Sequence, residues 1–583
     1  MPDLPPGATV ASLLRTRASE TPTKDMVVDP VNRVGYRELD TSTLRIAAAL
    51  IEGGVSAGTR VGLIMPNNTG WVQIAVAITR IGAVLVPLST LLTGAELRAQ
   101  IRTASIAHLV TVDEFRGRRY LDALAAEIGL PELEPRDVLD PELPSLRRIW
   151  RVADLLDTQP EARSHTVATA MGDAVAPSDT MVIVFTSGSS GAPKGVMHSH
   201  GSALGAVASG LAVRCITSDS RLYLPMPFFW VGGFGAGILS ALMAGATLVT
   251  EEIPVAATTL QLLERERVTL FRGWPDQAEA LARAVDEAGA DLSSLRPGSL
   301  AALLPVGERG EPGSRANLFG MTETFGPYAG YPLDTDMPRP SWGSCGIPFD
   351  GMEVRITDIE SGTQALTGRE GRIEVRGPHV LHGICGRSRE DVFTPDGFYP
   401  TGDLGCIDDA GFLFYCGRID DMFKVSGATV YPSEVQAALK RIDGVDNAFV
   451  TQVGDDTGPR VAAAVICSRP FDPSELRSAA KELLSSFKVP TVWLVLDSDE
   501  TIPRGGTGKV DATRLRHLLT TGNAQTTARP ERKDDMKKRL TCPCGEYVRG
   551  TDEDDLVEKV RQHLGERHPD HEYSRDEILF MAY

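Results

Sequence analysis

Apolar residues in this chain gather into short runs separated by stretches with helical spacing. Leu44, Ala47, Ala48 and Ile51 recur on one helical face, with Thr41 as the expected N-cap and Gly53-Gly54 as the stop. Residues 60–65, 83–86 and 108–112 are continuous apolar runs too short for helices, so they are expected as buried strands. Such runs, alternating with amphipathic stretches, predict a largely parallel sheet covered by helices. The same alternation surrounds residues 181–185, a further expected strand. Between about residues 342 and 415 the runs shorten and glycine and aspartate turns multiply, which predicts a small β-rich subdomain. Beyond Arg418 the spacing predicts a helix over 433–442 and strands over 448–453 and 460–466, the makings of a compact α+β unit. Residues 521–540 are polar and charged and read as a linker, and a last short module follows.

Residues 222–250 carry no charge and are long enough to cross a bilayer. Pro225, Pro227 and Gly232-Gly233 break the start of this stretch and Gly245 its end, so the expectation is a short buried helix and a strand over 247–250. With 583 residues the chain exceeds a single core and is expected to split into several domains. A formal net charge of −18 disfavours nucleic acid and anionic membranes as partners and leaves small ligands. Six of the eight cysteines are scattered singly, which fits a reducing cytoplasm rather than a disulfide framework. No signal peptide is predicted at the N-terminus.

Candidate chemistry begins directly after the strand expected at 181–185, in FTSGSSGAPKG (185–195). Glycines and hydroxyls leave many backbone N–H groups open to a polyphosphate, and Lys194 adds a cation. An ordinary Gly/Ser turn is the plain alternative, but the loop leaves the end of a strand, where α/β proteins place ligands. It is not a Walker loop, because Pro193 precedes the lysine and Gly195 follows it.

Four more stretches follow in order: FGMTET (319–324), YPTGDLG (399–405), YCGRIDDMFKVSGATVYPSEV (415–435) and PRGGTGKVDATRLR (503–516). Together with FTSGSSGAPKGVMHSH (185–200) they resemble the ordered signatures of the adenylate-forming superfamily, which includes acyl-CoA synthetases, adenylation domains and luciferase-like enzymes. The similarity covers roughly residues 8–518. It implies that a carboxylate attacks the α-phosphorus of ATP, pyrophosphate leaves, and a thiol captures the acyl-adenylate. Two anions must then meet, which calls for amide donors, magnesium and lysine where charge accumulates.

By this resemblance Thr186, Ser187, Gly188, Ser189, Ser190, Gly191 and Lys194 close over the β- and γ-phosphates. Thr322 contacts the α-phosphate and Glu323 binds Mg2+, for which a carboxylate is a suitable hard ligand. Asp403 accepts the ribose hydroxyls, and Arg418 reaches ribose and phosphates. Lys509 bridges the attacking carboxylate and the α-phosphate. Asp420 falls at the hinge of a mobile C-terminal domain, and Ser426 and Gly427 line the thiol channel. The implied fold is α/β: an N-terminal adenylate-forming domain over 8–417 with a β-rich subdomain, a mobile α+β domain over 418–520, a linker over 521–540 and a module over 541–583.

Two departures from the family pattern stand out. PFFWVGG puts Trp230 where the family often has histidine; an indole cannot titrate, so Trp230 is expected as a pocket wall. LLPVGERGEPGSRAN (303–317) is short and lacks a clear adenine-binding turn. Pocket residues are expected from Phe228, Phe229, Trp230 and Gly232 and from residues 325–328, and this apolar set suits a fatty or aryl acid better than an amino acid.

The tail resembles a small domain family of unknown function with a CxCG start and a histidine-bearing helix. Val557, Val560 and Leu564 predict a helix over 552–568. Cys542, Cys544, His563 and His568 are then either a Cys2His2 Zn2+ site, with His571 in reserve, or buried thiols beside surface histidines. The expected activity is an ATP-dependent ligase making acyl-CoA in the cytoplasm. Its rivals are an acyl-AMP ligase that loads a carrier protein and a degenerate nucleotide-binding regulator.

Overall fold

The computed structural model describes residues 5, 7–135, 137–186, 193–419, 423–425, 428–430, 432–455, 458–484, 488–498, 500–504, 510–521, 539–541, 547–567 and 578. Apart from residues 116–118, the chain divides into two compact units, one ending at Tyr415 and one beginning at Cys416.

The three apolar runs expected as strands form Arg60–Ile64, Val84–Pro87 and His108–Thr111, neighbours in parallel register. They lie within a seven-stranded sheet whose strand Thr180–Thr186 is parallel to Val84–Pro87. Lys194–Ser199 returns antiparallel to Thr180–Thr186. In the three strands from the apolar runs every residue but Arg60 is buried, and a strand buried on both faces reads as a continuous apolar stretch. A second, five-stranded sheet contains Arg221–Tyr223, Thr247–Val249 and Leu270–Phe271, again parallel. The β-rich part of the first unit is antiparallel: Glu353–Thr357 pairs with Gly371–Arg376, which pairs with Tyr399–Ile407.

Two expectations change in detail. The helix expected to start at Thr41 runs Tyr36–Glu52 from an N-cap at Gly35, and Thr41 is an interior residue donating to the Arg37 carbonyl. Its start is set by Tyr36, fully buried with its hydroxyl 2.7 Å from the Ala246 carbonyl oxygen. The uncharged stretch 222–250 contains a π-helix, Gly232–Leu239, continued by the α-helix Ser240–Ala244 and the strand Thr247–Val249. Among the described residues no helix is long and apolar enough to cross a membrane.

The second unit is α+β. Val445–Asp455, Gly458–Cys467 and Val492–Leu496 form its sheet, and Pro432–Leu439, Pro473–Leu483 and Ala512–Thr521 are its helices. In the tail, Arg539–Thr541 and Tyr547–Arg549 make a hairpin followed by the helix Glu553–Arg567. Val557, Val560 and Leu564 are buried there with Leu540, Val548 and Leu556.

Candidate active site

Thr186 and Lys194 close the two ends of the glycine-rich loop, paired across the antiparallel strands. The strand carrying Lys194 passes straight into the helix His200–Gly210 through a reciprocal cap: Ser199 Oγ accepts from the Ser202 N–H at 3.1 Å, and Ser202 Oγ accepts from the Ser199 N–H at 3.0 Å.

FGMTET folds as the strand Phe319–Met321 and the 3-10 turn Thr322–Thr324. Gly320 is required here, since a Cβ would meet the Gly326 carbonyl oxygen at 2.0 Å. The turn buries Glu323, which is 3% exposed, and the Leu381 N–H donates to the Glu323 carbonyl at 2.7 Å. Thr322 is half-buried beside it.

These segments meet. Lys194 Nζ lies 2.6 Å from Glu323 Oε1. The Tyr399 hydroxyl donates to the same oxygen at 3.1 Å and accepts from Lys194 Nζ at 3.3 Å. A buried carboxylate is stable only with such partners, and lysine and tyrosine supply them. Glu323, with the Thr322 hydroxyl as its neighbour in the chain, offers hard oxygen donors of the kind Mg2+ prefers, so the residues present fit the ion.

Asp403, four residues after Tyr399 on the strand Tyr399–Ile407, is buried. Its N–H donates to Thr401 Oγ1 at 3.0 Å, and that hydroxyl donates to the Ile373 carbonyl at 2.9 Å. Burial, with the Asp403 charge adding to it, pushes the Tyr328 phenol well above its ordinary range. Burial likewise pushes the Cys345 thiol up to about 11, Asp403 again adding to it. The Tyr328 hydroxyl is buried and finds no hydrogen-bond partner among the described residues.

Phe229 and Trp230 stand edge-on, ring centroids 5.7 Å apart, and Trp230 meets Trp274 edge-on at 5.7 Å. Trp230 and Trp274 are each partly exposed, so together they can form a wall. Phe228, expected in the pocket, is instead core: it is fully buried and edge-on to Trp71 at 5.4 Å. Asn67 holds the approach to this corner, donating to the Met226 carbonyl at 2.9 Å and accepting from the Phe228 N–H at 2.8 Å. Gly232 opens the π-helix, and a Cβ on it would meet Met226 Sδ at 2.7 Å.

Arg418 ends the strand Leu413–Arg418, and His563 lies on the helix Glu553–Arg567. Ser187, Gly188, Ser189, Ser190, Gly191, Asp420, Ser426, Gly427, Lys509, Cys542, Cys544 and His568 lie outside the described residues. Among the described residues no group of three or more His, Cys, Asp or Glu could hold a metal ion. Tyr399 and Asn67 had no role in the sequence reading. Tyr399 stands inside YPTGDLG, and its membership of that stretch was the one available signal; Asn67 offered none.

A lysine paired with a buried carboxylate, beside a loop at the carboxyl end of a parallel strand, defines an α/β enzyme with a site suited to a nucleotide. The chain belongs to the AMP-binding enzyme family, whose model matches residues 14–385. It is 32% identical over 531 residues, 88% of this chain and 99% of the relative, to the 3-[(3aS,4S,7aS)-7a-methyl-1,5-dioxo-octahydro-1H-inden-4-yl]propanoyl:CoA ligase of Mycobacterium tuberculosis. Feruloyl-CoA synthase of Amycolatopsis is 28% identical over 82% of this chain and 92% of its own. The fold matches O-succinylbenzoate Coenzyme A Synthetase (MenE) of Bacillus subtilis, solved with ATP and magnesium ion, at a TM-score of 0.68 and 24% identity over 87% of this chain and 99% of that one. The chain is an AMP-forming ligase that joins a carboxylic acid to CoA with ATP.

Proposed function

We propose that the acid carries a ring system, aromatic or polycyclic, rather than a straight acyl chain. The edge-on corner of Phe229, Trp230 and Trp274 supports this, because flat rings offer large contact area to a flat or fused-ring ligand. The relatives named for an octahydroindenyl propanoyl group, a saturated bicycle, and for a feruloyl group support it too.

The observation that carries the site is the Lys194–Glu323 pair with Tyr399 spanning it. In the proposed reaction a carboxylate oxygen of the acid bonds to the α-phosphorus of ATP as the bond to pyrophosphate breaks. The CoA thiolate then attacks the acyl carbon and AMP leaves. Lys194 and the loop amides hold the β- and γ-phosphates, and Thr322 the α-phosphate. Asp403 takes the ribose hydroxyls, a role that its two acceptor oxygens suit. Bound at Glu323, Mg2+ would neutralise phosphate charge. Arg418 and Lys509 act on the phosphates, with Asp420 as hinge and Ser426 and Gly427 along the thiol path. A cytoplasmic location goes with this reading, supported by the scattered cysteines.

The test is pyrophosphate release from ATP and Mg2+ across ring acids and straight-chain acids, with and without CoA. Ring acids should give the higher kcat/KM, and Lys509→Ala and Glu323→Gln should each lower adenylation by about a hundredfold or more. Equal turnover of straight-chain acids would refute the substrate class. Release untouched by either substitution would refute the site.

A further inference from the structure

The Thr322–Thr324 turn is held from below by the strand that carries Lys194. His198, on Lys194–Ser199, is fully buried, and its Nε2 lies 2.7 Å from the Thr322 carbonyl oxygen. A carbonyl oxygen only accepts, so Nε2 carries the proton. Nδ1 is then a bare acceptor, buried and without a hydrogen-bond partner among the described residues. Burial pushes the imidazole down to about 4, against the opposing bond to Thr322 and the charge of Glu323, so the ring is neutral at working pH.

The same ring stands edge-on to Phe325, centroids 5.0 Å apart. Phe325 has φ 51°, the left-handed region that bulky residues rarely enter, and its N–H donates to the Thr322 carbonyl at 3.1 Å. One histidine therefore bonds the first residue of a strained turn and packs on the last. Lys194 and His198 stand four residues apart on one strand, and alternate residues of a strand share a face. The strand thus carries the lysine that meets Glu323 and the histidine that holds the turn presenting it.

We propose that His198 is a positioning residue: it holds the turn from Thr322 to Phe325 closed and so places the Glu323 carboxylate against Lys194. The inference rests on the reading of Glu323 and Lys194 as nucleotide-side groups.

The experiment compares His198→Met and His198→Phe, which remove the donor, with His198→Gln, whose amide nitrogen reaches about as far as Nε2. All are made in the full chain beside Glu323→Gln. Removing the donor should weaken ATP use in adenylation about tenfold, read as KM for ATP or kcat of pyrophosphate release. KM for CoA should not change, and His198→Gln should recover most of the loss. Wild-type ATP kinetics in a folded His198→Met, with Glu323→Gln impaired, would overturn this proposal alone. Equal damage in the Gln and Met variants would overturn it in favour of simple packing. A silent Glu323→Gln would remove the site reading and the proposal with it. Should the Met and Phe variants fail to fold, the tautomer of His198 in nitrogen-labelled wild-type protein decides: an Nε2–H ring supports the proposal and an Nδ1–H ring overturns it.

Discussion

Tyr399 touches both charges of the central pair, donating to Glu323 Oε1 at 3.1 Å and accepting from Lys194 at 3.3 Å. Hydrogen bonds to charged groups contribute about 1.5–3 kcal/mol each. Tyr399→Phe removes only the hydroxyl, so the fold should survive, and steady-state kinetics should show KM for ATP rising about tenfold. An unchanged KM would mean that the lysine and carboxylate hold each other without help. Glu323 and Lys194 were legible as residues because their motifs mark them, whereas Tyr399 was only a letter within a quoted stretch. Its role depends on where the strand Tyr399–Ile407 begins relative to the turn that buries Glu323, and no local spacing encodes that.

Among the elements, the buried strands were the most legible, because a strand covered on both faces must be apolar throughout. The π-helix Gly232–Leu239 was not. A Cβ on Gly233 would meet the Pro227 carbonyl oxygen at 2.1 Å, and one on Gly235 would meet the Phe325 ring at 3.0 Å, so close packing against other segments shapes that helix. The segment leading into it is pinned by Asn67 through two hydrogen bonds. Asn67→Ala leaves the Phe228 N–H and the Met226 carbonyl without that partner, and a loss of about 1–3 kcal/mol is expected by chemical denaturation. Because that segment leads to Phe229 and Trp230, KM for the acid should rise more than KM for ATP; the reverse result would detach this corner from the acid.

For the whole molecule, the first unit should be sensitive to acid. His108, His198, His200 and His379 are buried, and burial pushes each down to about 4 from 6.5. The unfolded chain therefore binds protons between those values that the folded chain refuses. The contribution of these histidines to stability is full above the unfolded value of 6.5 and is lost as pH falls towards 4, by at most about 1 kcal/mol per pH unit for each. All four histidines lie before Cys416, so calorimetry from about pH 7.5 down to about pH 5 should show the transition of the first unit falling more than that of the second. Equal shifts would contradict this. The sequence by itself determined the family, through five motifs in fixed order, and the α/β class, through the alternation of buried runs and amphipathic stretches. Both are written in local spacing, which any stretch of chain carries with it. Only the tertiary structure decided that Lys194 and Tyr399 meet at one oxygen of Glu323, that Phe228 is core while Trp230 stands partly exposed against Trp274, and that His198 reaches the Thr322 carbonyl. Those contacts join residues 205, 76 and 124 positions apart, and sheet register and packing, not local pattern, bring such residues within hydrogen-bond reach.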